Sequence, residues 1–148
     1  MVVVFDRDMD ASIAENPENI SVVGVNEGPI DPADMQMALT NGTILTITFP
    51  GLAGGALANQ DVYTFDLSLL EAADGGTVGE SGDADFDLRR LEGDAGDSGF
   101  VDPLDSGAVL ARFGGDVVEF ARFDINADGA IDPLDVGAVL ARFGNSAP

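Results

Sequence analysis

Residues 102–114 read DPLDSGAVLARFG and residues 132–144 read DPLDVGAVLARFG, one segment written twice with a single change, Ser106 to Val136. Extended backward, each copy becomes the second half of a longer repeat, a twelve-residue loop running into a helix signal. The loops are Asp94 to Asp105 and Asp124 to Asp135. In the second, side-chain oxygens fall at loop positions 1, 3, 5, 9 and 12 (Asp124, Asn126, Asp128, Asp132, Asp135), with Gly129 at position 6. That spacing is the spacing of a calcium loop. A hard cation takes about six to eight oxygens. Gly129 lets the chain turn sharply, Ala130 offers its carbonyl at position 7, Ile131 plugs the loop into a core, and Asp135 closes the site from the helix.

The first loop is poorer in donors. Gly96 at position 3 supplies no side-chain oxygen, and Ser98 replaces a carboxylate at position 5. Fewer ligands and less charge weaken a calcium site, so the sequence predicts two Ca2+ sites with the second the stronger. Asp-rich loops also serve as plain solvated turns; two in register, each feeding the same helix, favour the cation. Asp102 and Asp132 are predicted to cap the helices, Pro103 and Pro133 to occupy the first turn, and Gly114 and Gly144 to lie just past the ends.

Composition narrows the function. Twenty-seven acids face six bases, all of them Arg, for a net charge of −21. Phosphate binding needs clustered cations, so nucleic acid is excluded as a partner, and an anionic membrane surface is disfavoured. No apolar run reaches the roughly 20 residues that span a bilayer, so no membrane insertion is expected. The absence of Cys removes disulfides and thiolate metal sites. The opening MVVVF is too short for a signal peptide, so the chain reads as a piece of a longer exported one.

The stretch before the loops has a different texture. Apolar and β-branched runs appear at 2–5, 20–25, 35–39, 43–49, 62–70 and 83–91, several alternating with period two, such as Leu45-Ile47-Phe49 and Phe65-Leu67-Leu69. Turn formers separate them, and Asn41-Gly42 signals a hairpin. These features predict two modules: an all-β immunoglobulin-like sandwich over residues 1–92, then a small α module with paired loop–helix motifs over 93–148. The first also resembles the bacterial Ig-like modules of large secreted proteins, in VVVFDRDMDASIAENPENISVVG, TILTITFPGLAGGALANQDVYTFDLS and DADFDLRRLEGD.

GDAGDSGFVDPLDSGAVLARFG and FDINADGAIDPLDVGAVLARFG, loop then helix without an entering helix, resemble the dockerin family, type I-like with a duplicated calcium F-hand. The resemblance implies calcium ligands at Asp94, Ser98, Phe100 (carbonyl), Asp102 and Asp105, then Asp124, Asn126, Asp128, Ala130 (carbonyl), Asp132 and Asp135. It implies docking onto a cohesin-like domain, often to recruit secreted carbohydrate-active enzymes in polysaccharide degradation. Partner contacts would fall on Pro103, Leu104 and Arg112, and on Pro133, Leu134 and Arg142. The Pro-Leu pairs depart from the Ser/Thr of cellulosomal dockerins, and also suit a helix cap and core.

The expected function is therefore a non-catalytic calcium-binding interaction module of a larger secreted or cell-surface bacterial protein. The alternative is a calcium-dependent clamp in which the dockerin packs on its own Ig-like domain. A calmodulin-class sensor fits poorly, because all four Met precede the loops. Catalysis fits least. The recognisably spaced acids are claimed by calcium, and Asp83, Asp85 and Asp87 alternate like a solvated strand face.

Overall fold

Each of the six apolar runs holds a strand. In the computed structural model, which describes residues 1–79 and 83–148, these are β1 (Val2–Val4), β2 (Ser21–Gly24), β4 (Gln36–Thr40), β5 (Ile44–Thr48), β6 (Asp61–Asp66) and β7 (Asp85–Arg90). A two-residue strand, β3 (Gly28–Pro29), is added beside β2, with its proline on the sheet edge where no ladder donor is needed. Asn41 and Gly42 both adopt left-handed backbone, φ 54° and 74°, and return β4 onto β5 with Thr40 opposite Ile44. The strands form two sheets, ordered β1-β5-β4 and β3-β2-β6-β7.

Contacts gather the chain into two compact units. The first comprises Met1–Ala58 and Val62–Leu88. Its core draws Leu45 and Ile47 from one sheet and Val22, Tyr63 and Phe65 from the other, all essentially inaccessible. Phe65 stacks on Phe86 at 5.1 Å between ring centroids. The predicted alternation holds at Phe65 and Leu67 but fails at Leu69, which is 63% exposed. The strand has already ended at Asp66, whose carboxylate accepts the Ser68 amide at 2.9 Å and turns the chain, so that Leu70 is buried instead. A four-residue helix, α1 (Ala11–Ala14), begins at the capping side chain of Asp10, and Glu15 just after it accepts the Leu39 amide of β4 at 2.8 Å.

The second unit comprises Asn59–Asp61 and Arg89–Pro148. The Gln60 amide donates to the Arg90 carbonyl at 2.8 Å, and the Glu92 amide to the Asn59 side chain at 2.8 Å. Its core is Ala95, Val101, Val109, Phe123, Ile131 and Val139. Two helices, α2 (Pro103–Leu110) and α3 (Pro133–Leu140), carry the repeated segments. Both start with a reciprocal capping box. Asp102 accepts the Leu104 amide while Asp105 accepts the Asp102 amide, and Asp132 and Asp135 do the same. Gly114 and Gly144, at φ 70° and 87°, end the turn beyond each helix. There the copies cross: the Gly114 amide donates to the Ile131 carbonyl and the Gly144 amide to the Val101 carbonyl, each at 3.0 Å.

The expectation of two modules, an all-β immunoglobulin-like sandwich followed by a small α dockerin, is overturned. Among the described residues the fold is mostly β, with two sheets and three short helices, none longer than eight residues. The change of texture near Gly93 is a change of composition and not the start of a helical module. Of each repeat only eight residues become helical: Asp and Gly hold the twelve-residue loop in turns, and after Leu110 and Leu140 the chain passes through a turn that ends on the left-handed glycine.

Candidate metal loops

Both loops fold on the same local plan. The carboxylate at position 1 reaches across the turn. Asp94 accepts the amides of Ser98 (2.8 Å) and Gly99 (2.7 Å), and Asp124 those of Asp128 (3.1 Å) and Gly129 (3.0 Å). Left-handed backbone falls at position 4 in each loop, Asp97 and Ala127, and again at position 6, Gly99 and Gly129. The position-8 residues Val101 and Ile131 plug into the core, both 2% exposed.

At position 12 the carboxylates are buried. Asp105 is 1% exposed and accepts the amides of Gly96 (2.7 Å) and Asp102 (2.8 Å), one on each oxygen. Asp135 is wholly buried and accepts three: Ile125 and Asn126 on one oxygen, Asp132 on the other. These bonds tie the first residues of each loop to its helix. They also explain how a buried carboxylate is tolerated in a core this small, since every oxygen is hydrogen-bonded.

The middles of the loops differ. In the second, the Asn126 amide group donates to Asp128 at 2.8 Å, and Asp128 accepts the Ala130 amide at 3.0 Å. In the first, the Ser98 hydroxyl donates to the carbonyl of Phe100 at 3.0 Å. Asp97 turns away to Arg89, 3.5 Å distant, and does not fill the gap left by Gly96. Among the described residues no three carboxylates are gathered closely enough to hold a metal ion. The donor set nevertheless suits a hard cation, being all oxygen. A carboxylate oxygen accepting a single amide keeps a lone pair, as both oxygens of Asp94, Asp105 and Asp124 do.

The residues expected to touch a partner divide. Leu104 and Leu134 are 78% and 63% exposed, so they are not core, while Pro103 and Pro133 open the helices as a first turn requires. Leu110 and Leu140 are exposed as well. The arginines are engaged within the unit. Arg142 pairs with Glu92 at 3.0 Å and donates to the Ala138 carbonyl, whereas Arg112 lies over the rings of Phe120 and Phe123. Sequence reasoning had no signal for that asymmetry, because the two helices are nearly identical; it resides in the unlike segments around them. Asp83, Asp85 and Asp87 are all exposed, and Asp87 accepts the Thr64 hydroxyl.

No protein family, curated protein or solved structure matches the chain. Among the described residues no helix is long and apolar enough to cross a membrane.

Proposed function

We propose that the chain is a non-catalytic, calcium-binding interaction protein. Its paired loops each take one Ca2+, and its helices α2 and α3 dock onto a partner domain of the cohesin type, as part of a larger secreted or cell-surface bacterial protein. The observation that carries calcium binding is the equivalence of the two loops: the same left-handed positions, and the same grip of Asp94 and Asp124 on the amides at positions 5 and 6. Asp124, Asn126, Asp128, Asp132, Asp135 and the Ala130 carbonyl would hold one ion. Asp94, Ser98, Asp102, Asp105 and the Phe100 carbonyl would hold the other. The second loop has the larger side-chain donor set and is assigned the higher affinity. Docking draws support from Leu104, Leu110, Leu134 and Leu140, exposed apolar side chains repeated on both helices.

Calorimetric titration with Ca2+, paired with circular dichroism in chelator, tests the reading. Two binding events are expected, the tighter lost in Asp128→Ala, with helical signal falling when the metal is removed. Helical signal unchanged in chelator, together with no heat on adding Ca2+, would refute it.

A further inference from the structure

The two loops are alike in plan but unequally held. Each gives its position-8 carbonyl to the glycine that ends the other copy's helix. Loop one receives more. The Val101 amide donates to the Asn145 carbonyl at 2.9 Å, Phe100 forms a β-bridge with Ser146, and the Ala147 amide donates to the Gly99 carbonyl at 3.4 Å. Positions 6 to 8 of loop one are thus paired, antiparallel, with the segment after α3. Among the described residues, no β-bridge forms at the matching residue of loop two, Ala130.

The pattern of that pairing matters. In an antiparallel ladder, a residue whose neighbours make the bonds has its own N–H and C=O directed to the other edge. Here Gly99 and Val101 bond to the segment, and Phe100 turns its polar groups inward, onto Ser98: its amide donates to the Ser98 hydroxyl at 3.3 Å and its carbonyl accepts from it at 3.0 Å. Phe100 is also the residue whose carbonyl is assigned to the ion at position 7. The segment therefore fixes the aim of a ligand in the loop that lacks a donor at position 3, Gly96.

We propose that residues 144–147 are a latch that pre-forms loop one, so that closure of the latch and filling of loop one are linked. The proposal rests on the calcium reading above. Linkage is reciprocal: Ca2+ in loop one protects the latch bonds, and opening the latch weakens loop one while loop two is untouched.

The test uses the full chain and its Ala147→Pro variant, which loses the donor to Gly99, with Ala147→Gly as a control that keeps it. Amide NMR reads Gly99 for loop one and Gly129 for loop two during Ca2+ titration, and hydrogen exchange at Val101 reads the latch in chelator. Loss of one such bond is expected to speed Val101 exchange about three- to tenfold and to weaken the Gly99 step by a similar factor. The Gly129 step should be unchanged and Ala147→Gly should behave like the parent. Two calcium steps with neither altered by Ala147→Pro, or both weakened equally, would overturn the latch and leave calcium binding standing. Absence of any Ca2+ response in the unmodified chain would instead remove the parent reading and the link to the ion with it.

Discussion

The one position at which the repeated segments disagree has a physical signature. Ser106 has its hydroxyl buried with no partner among the described residues, whereas Val136 at the equivalent place packs against the core of the second unit. A buried unpartnered hydroxyl costs about 1–3 kcal/mol. Ser106→Val is therefore expected to stabilise the protein by about 1 kcal/mol, seen as a higher denaturant midpoint at unchanged slope; a lower midpoint would mean the first copy has no room for the branched side chain. At the opposite end of the chain, the hydroxyl of Ser12 at 2.6 Å and its amide at 2.9 Å hold the Asp10 carboxyl below its ordinary pKa, and Ser68 does the same for Asp66. A depressed carboxylate pKa contributes stability above the unfolded value, about 3.9. That contribution is lost as pH falls through the lower folded value. In Ser12→Ala the titration of Asp10, followed by carboxyl-carbon NMR, should move up toward the ordinary range.

Elements were legible where local rules agreed with packing. Each of the six apolar runs holds a strand, to within a residue at the ends of β4 and β6, because alternation is a direct record of which face is buried, and Asn41-Gly42 makes its turn through two left-handed residues. The helix starts were legible because Asp102, Pro103 and Asp105 each satisfy a distinct need of a first turn. Element ends were less so. Leu69 continues the period of β6, but the Asp66 turn intervenes, and α1 is too short to leave a periodic trace. Of the candidate loops, the capping and core positions were readable. What the sequence could not convey was that Asp105 and Asp135 are engaged by backbone amides, or that Arg112 and Arg142 have separate employments. The fold class was misjudged because the two repeated helix signals were weighed as a separate helical module, whereas each supplies only eight helical residues to a mostly β structure. Gly107 and Gly137 sit mid-helix, where an added Cβ would meet nothing within 4 Å. Replacing either by Ala should stabilise its helix by about 0.5–1 kcal/mol, measurable as a raised melting temperature; if docking uses this face, affinity for the partner should fall in the same variants.

Across the whole molecule, a net charge of −21 opposes compactness through self-repulsion. Monovalent salt should therefore raise the melting temperature by screening alone. Calcium should do more than screen: at matched ionic strength CaCl2 is expected to exceed NaCl, and the excess should vanish in a variant with Asp94, Asp124 and Asp128 neutralised to Asn. Equal melting temperatures in the two salts would reduce the acidity to a solubility device.

The bonds from Gly114 to Ile131 and from Gly144 to Val101 have a consequence at the level of the gene. Tandem copies invite deletion by slippage, and losing one copy here would leave a polypeptide that still reads as one tidy loop and helix. It would not be half of this structure. The surviving glycine would have no sister carbonyl to meet, and the surviving hydrophobic plug would face an empty seat. Each copy thus finishes the other, and a single unit would lack both of the bonds that close the pair.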